Sequence, residues 1–191
     1  MRQSSFFGEV RAHSFQIALA GILIAGMWLR TAPISLNRFH EDEALYAYWG
    51  LQIATGADPM LNDYPVDKPP LFPYLLSLLF GAFGATEVVA RTPGLVASGI
   101  SILLTAWIGR RVYGKPAALI AAGALAICPF DIAFAGTVFT DPLLAMWVLA
   151  ATATAIAGHP AWAGLLFGLA FETKQQAILF APLILAGFML Y

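Results

Sequence analysis

Residues 15–50 read "FQIALAGILIAGMWLRTAPISLNRFHEDEALYAYWG". The run 15–34 is apolar and of the length, about 20 residues, that a helix needs to cross a bilayer. Within a few positions it gives way to three consecutive carboxylates, Glu41, Asp42 and Glu43. Ionisable groups at membrane depth are costly and usually face a partner or a cavity, so this stretch raises the question of fold and the question of function together. Composition answers the first. The chain of 191 residues is 60% hydrophobic and 11% charged, with a mean hydropathy of +0.76, the profile of an all-α integral membrane protein and not of a soluble domain.

The formal net charge is -1, which offers no basic surface to nucleic acid and no long acidic tail, and leaves membrane lipid as the general partner. Cys128 is the only cysteine. That excludes an intramolecular disulfide and a cysteine-based zinc site, and a small core residue is the simplest reading. No linker, repeat or low-complexity block divides the chain, so 1–191 reads as a single transmembrane domain. Arg2 and Arg11 precede the first apolar run, and no small-residue cleavage box follows it, which favours a retained signal anchor over a cleaved signal peptide.

Further spans are expected near 88–109, 116–136, 141–158, 161–173 and 177–191. The run 71–84 stands behind "KPP" and is short for a crossing, so it suits a broken or interfacial helix. Lys and Arg favour the cytoplasmic side. Arg2 and Arg11 then place the N-terminus there, the loop 35–70 emerges outside, and "GRRVYGK", with Arg110, Arg111 and Lys115, returns inside. Continuing the count brings "GTVFTDP" and "FETKQQ" to the outer face. Asp42, Asp67, Lys68, Asp141, Glu172 and Lys174 thus gather at one membrane face, although the orientation was set by other residues.

Each of these groups has a plain reading beside a functional one. Asp42 suits the N-cap of an interfacial helix beginning at Glu43, with Glu43 at the same positive end. Leu45, Tyr48 and Trp49 would share a face of that helix, their aromatic rings at headgroup level. Three carboxylates in a row exceed what one cap requires. A metal site from "HEDE" would use His40 and Asp42, but no second histidine falls at ligand spacing. In "DYPVDKPPLFPYL", Lys68 precedes a proline, which holds its backbone extended. A fixed ammonium beside lipid suits a phosphate as a point charge; the alternative is a lysine that snorkels to the interface and is neutralised by Asp67. Asp141, followed by proline, sits where a helix N-cap belongs. Glu172 and Lys174 read as a solvated span boundary.

Taken in order, "DEALYAYWG", "DKPPLFPYLLSLLFGAFG", "ARTPGLVAS", "TDPLLAMW" and "GLLFGLAFETKQ" resemble the N-terminal part of the polyprenyl-phosphate-sugar-dependent glycosyltransferases of the GT-C fold. That group contains the protein O-mannosyltransferases, the lipid A aminoarabinose transferase and the RgtA/B/C/D-like transferases. The resemblance spans roughly residues 10 to 190. It implies a multi-span helical bundle with interfacial helices in the first external loop, and it implies Asp42 as the catalytic carboxylate of a D-E-x-x-Y pattern completed by Glu43 and Tyr46. It further implies Lys68, in an acidic-Lys-Pro motif with Asp67 and Pro69, as the contact to the donor phosphate. An Asp-Pro pair matches Asp141 and Pro142, and a Thr-Lys pair matches Thr173 and Lys174, giving Asp141 and Lys174 supporting or substrate-binding places. Leu45 stands where aminoarabinose transferases carry arginine, which weakens any carry-over of their phosphate grip and of their substrate.

The implied chemistry suits these residue types. A polyprenyl phosphate is a good leaving group that needs charge stabilisation more than a proton, which Lys68 would supply. An acceptor hydroxyl of a lipid, glycan or protein is a weak nucleophile, and Asp42 would take its proton as it attacks. Such a single displacement inverts the anomeric centre. The apolar spans would hold the lipid tail, no nucleotide loop or other cofactor is required, and a divalent cation at Asp42 is compatible with the pattern. The chain stops at "LAGFMLY" inside an apolar run, so it is expected to be the N-terminal portion of such a module. Two other classes compete. A small transporter or membrane assembly subunit would place charges midway along a polar path, and a lipid-phosphate hydrolase would need a histidine nucleophile or an arginine clamp.

Overall fold

The computed structural model describes residues 2–31, 38–63 and 66–190, and of residues 2–12 the backbone alone. The end of the first expected span at 32–34, the loop residues 35–37 and 64–65, and the side chains of Arg2 and Arg11 lie outside the described residues. Among the described residues the protein is helical, with no strand. Its elements are α1 (Arg2–Thr31), α2 (Glu41–Thr55), α3 (Leu71–Phe83), α4 (Glu87–Tyr113), α5 (Lys115–Ala126), α6 (Pro129–Ala135), α7 (Asp141–Ile156), α8 (Pro160–Thr173), a 3-10 turn at Gln175–Phe180 and α9 (Ala181–Met189). Among the described residues two helical stretches, His13–Thr31 and Glu87–Tyr113, are long and apolar enough to cross a membrane.

The stretch 116–136, expected as one span, is instead two helices meeting at a bend of 58°. Pro129 explains the break, since its nitrogen cannot donate to the carbonyl of Leu125 one turn earlier. The carbonyls exposed there are met by a side chain from another helix. Arg30, wholly buried on α1, donates from Nη2 to the Leu125 oxygen (2.9 Å) and from Nη1 to the Ala126 oxygen (2.7 Å). The same guanidinium pairs with Asp131 of α6 at 2.5 Å, and its Nε reaches Ser98 Oγ of α4 at 2.6 Å. Ser98 in turn donates to Asp131. One arginine therefore joins α1, α4, α5 and α6 and satisfies backbone groups that hydrocarbon could not.

α4 is the central element. Thr86 caps it by accepting from the Val89 amide (3.3 Å), Glu87 lies in its first turn, and Arg110 and Arg111 lie in its last, each suiting the helix dipole. It runs antiparallel to α1: the Arg110 guanidinium lies 5.1 Å from the Phe15 ring centroid, and Ser98 meets Arg30 toward the other end. Gly94 lets the end of α6 press onto α4. A Cβ there would come within 2.7 Å of the Ala135 carbonyl oxygen and 3.0 Å of that of Thr137, so this is the close backbone approach that small residues permit between membrane helices.

α2 packs on α3 in the same way, since a Cβ on Gly50 would fall 2.7 Å from Leu76 Cβ. The buried face of α2 is Glu43, Tyr46, Trp49 and Gly50. This corrects the expected grouping of Leu45, Tyr48 and Trp49. Leu45 and Tyr48 are exposed while Trp49 is fully enclosed, because the contact with α3 runs through Gly50 and draws in the residues on its side of the helix.

Candidate active site at one end of the bundle

α2 begins at Glu41, and its N-cap is His40. The His40 Nδ1 accepts from the Asp42 amide (3.3 Å), while the Glu43 carboxylate reaches back to the His40 amide (2.8 Å). This is a reciprocal capping box, built on histidine where Asp42 was expected to cap a helix starting at Glu43. The correction separates the three carboxylates. Glu43 is buried and bonded, and its second oxygen accepts from the Val138 amide at 2.7 Å, far along the chain. Asp42, relieved of capping, has a side chain 58% exposed, with His40 Nδ1 3.9 Å from its Oδ2.

Tyr46 follows one turn after Asp42 and is buried. Its hydroxyl shares a hydrogen bond with Lys68 and feels the charges of Lys68, Asp42 and Asp67. Burial, the largest effect, pushes its pKa up, so Tyr46 stays a neutral hydroxyl through the working range of pH. Lys68 is also paired with Asp67. That hydrogen bond is the chief reason its ammonium is held above the usual lysine range. An ammonium has three N–H bonds, and carboxylate and hydroxyl take two. The loop leading here is itself braced, since Asp58 accepts from the amides of Asn62 and Asp63 and Tyr74 donates to the Pro59 carbonyl.

Asp141 is not the N-cap either. Thr140 occupies that position without a side-chain cap bond, and Asp141 in the first turn of α7 instead accepts from Lys174 Nζ at 2.7 Å. Lys174 leaves the end of α8 in an extended conformation, and Thr173 beside it is buried and donates back to the Leu169 carbonyl. Glu172 is exposed. The Asp42–Tyr46–Lys68 group and the Asp141–Lys174 pair are joined through the segment between α6 and α7. There Val138 donates to Glu43, and the Phe139 ring lies 5.9 Å from that of His40 and 6.3 Å from that of Tyr46.

The link from Glu43 to Val138 carries no sequence signal, because it ends on a backbone amide. The Arg30–Asp131 pair was equally missed, although one arginine and one aspartate inside separate apolar runs are a recognisable sign of an intramembrane partner. Beside Asp42 and His40, no third histidine, cysteine or carboxylate converges among the described residues. An apolar cavity of about 240 Å³ opens between α3, α4 and α7, with Leu75, Val96, Ile100, Met146 and Trp147 in its wall.

The described residues form an all-helical fold with two helices long and apolar enough to cross a membrane, which defines the class as an integral membrane protein. Residues 67–191 match the dolichyl-phosphate-mannose-protein mannosyltransferase family. The chain belongs to this family, and is a membrane glycosyltransferase of the mannosyltransferase type. Membership decides against the transporter and hydrolase readings. Asp67, Lys68, Asp141 and Lys174 fall within the matched stretch, while Asp42, Glu43 and Tyr46 precede it. Comparison with curated proteins and with solved structures gave no match.

Proposed function

We propose that this protein moves a sugar from a polyprenyl-phosphate donor to a hydroxyl of a lipid, glycan or protein acceptor, by one inverting displacement at the external face of the cell membrane. Asp42 is the base, and Lys68 is the contact to the departing phosphate. The observation that carries this reading is the Asp42 carboxylate, exposed and free of the α2 cap, one turn before Tyr46, which shares a hydrogen bond with the Asp67-paired Lys68. Asp42 is free of the cap, and Asp67 and Tyr46 hold Lys68 with its remaining N–H available to a phosphate oxygen. Asp141 and Lys174, paired with each other at 2.7 Å, are supporting or substrate-binding groups. The apolar cavity between α3, α4 and α7 suits the first part of the lipid tail.

The orientation, with the N-terminus cytoplasmic, rests on the basic residues. Arg110 packs against Phe15, so the Arg110–Lys115 turn and the start of the apolar part of α1 share one end of the bundle, opposite the Asp42 and Lys68 cluster. Charge at the leaving phosphate is met by Lys68, so the step needs no further cofactor, and chelation of divalent cations is expected to leave the rate within about twofold. The test is transfer from a panel of polyprenyl-phosphate sugars in membranes carrying the wild type or Asp42→Asn. Removing the base is expected to cost about 10²- to 10⁴-fold in rate. Equal activity in Asp42→Asn would remove Asp42 from the mechanism, and no transfer by the wild type from any donor would sink the reading.

A further inference from the structure

Glu43 differs from its two acidic neighbours in being enclosed, 4% exposed, with each carboxylate oxygen assigned to a backbone amide. Oε2 accepts from His40 at 2.8 Å and Oε1 from Val138 at 2.7 Å. The first amide belongs to the cap that begins α2, two residues before Asp42. The second belongs to the segment that supplies Phe139 and then Asp141. A carboxylate bridging two amides on different elements fixes their separation, and hydrogen bonds to a charged acceptor are short and strong. A buried carboxylate that lost either amide would leave an unmet charge, so neither bond is dispensable.

Resting on the transferase reading above, we infer that Glu43 is the positioning residue of this site: it contacts no substrate, and sets the distance between the Asp42–Lys68 group on one side and the Asp141–Lys174 pair on the other. The ring contacts run the same way, because Phe139 lies against both His40 and Tyr46. Groups on separate elements that serve one reaction act efficiently only at a fixed spacing, and a displacement of about 1 Å costs about 100-fold in rate. Glutamine at position 43 keeps the reach of the side chain but turns an N–H₂ toward one of the two amides. Aspartate keeps the charge but is a methylene too short to hold both.

The experiment measures kcat and donor KM for Glu43→Gln and Glu43→Asp in detergent-solubilised protein, using the polyprenyl-phosphate sugar that the wild type accepts, together with amide exchange over residues 136–140 without donor. Both variants are expected to lose about 100-fold in kcat with donor KM within about threefold, and to exchange faster at 136–140. Four results would overturn the inference. They are unchanged kcat in Glu43→Gln, a KM that rises while kcat holds (direct contact with donor), unaltered exchange at 136–140, and loss of folded protein in both variants, which would assign Glu43 to stability alone. A wild type inactive with every donor condemns the transferase reading itself, whereas an active wild type with an indifferent position 43 condemns only this inference.

Discussion

Arg30 and Asp42 flank the same connection between α1 and α2, and the protein treats them in opposite ways. Arg30 is wholly buried, and its nitrogens are taken by Asp131, Ser98 and three backbone carbonyls. Asp42 is more than half exposed, and its carboxylate lies beside a histidine that already accepts from the Asp42 backbone. A charge whose partners are all internal can only hold structure. A charge left open beside a second, fixed charge can do chemistry. In a chain with so few ionisable groups, this division separates scaffold from site more sharply than position in the sequence does.

The comparison breaks first if Arg30 proves replaceable. Removing one member of a buried ion pair leaves the other charged and unmet, at a cost of about 3–5 kcal/mol, so Arg30→Ala is expected to lose most of its folded population in a thermal melt in detergent. Arg30→Met combined with Asp131→Leu removes both charges and is expected to recover part of that loss, although the Ala126 carbonyl would lose its arginine donor while that of Leu125 keeps the Cys128 amide. A melt unchanged in Arg30→Ala would mean that the break between α5 and α6 is supported elsewhere.

Lys68 supplies the converse test. Lys68→Met is expected to lower the melt far less than Arg30→Ala, because its partner Asp67 is largely exposed, and to lower transfer by about 10²- to 10³-fold, the range seen when one stabiliser of developing negative charge is removed. A loss of stability without a loss of rate would move Lys68 to the scaffold side. Below these effects stands Gly94→Ala. Its added methyl meets backbone oxygens of Ala135 and Thr137, which cannot turn aside as a side chain could, and overpacking of this kind costs about 1–3 kcal/mol. A neutral Gly94→Ala would show that α6 can shift on α4.

The sequence disclosed the class of fold through composition, and the count of spans set Asp42, Asp67 and Lys68 at one membrane face, while Tyr46 joined them only through the family resemblance. It misplaced both helix starts. Asp42 and Asp141 look like caps from residue preference alone, but His40 can accept through Nδ1 and Thr140 precedes a proline at the second helical position, and neither feature outweighs an aspartate in a propensity argument. The two links that organise the bundle, Glu43 to Val138 and Arg30 to Asp131, each span about half of the chain. Their partners include backbone groups, which leave no trace in residue identity. Local chemistry was therefore legible and long-range satisfaction of buried groups was not.

The smallest expected effect concerns pH, and it sharpens the distinction between a paired and an unpaired lysine. Asp67 raises the Lys68 pKa from its ordinary value. A raised pKa means that the folded protein prefers the ammonium, so the pairing is fully present below the unfolded value of about 10.4 and is lost as pH rises through the folded value above it. Tyr46, raised by burial, likewise stays protonated to above about pH 10. The rate at saturating donor is therefore expected to change by less than about twofold between pH 7 and 9.5 through these two groups. Lys68→Arg carries a charge that does not titrate in this range, and its profile should be flat to the same limit. If the wild-type rate falls with a midpoint below pH 9 and the Lys68→Arg rate does not, the ammonium is not held by Asp67 during turnover. The pair would then have to open when the phosphate binds.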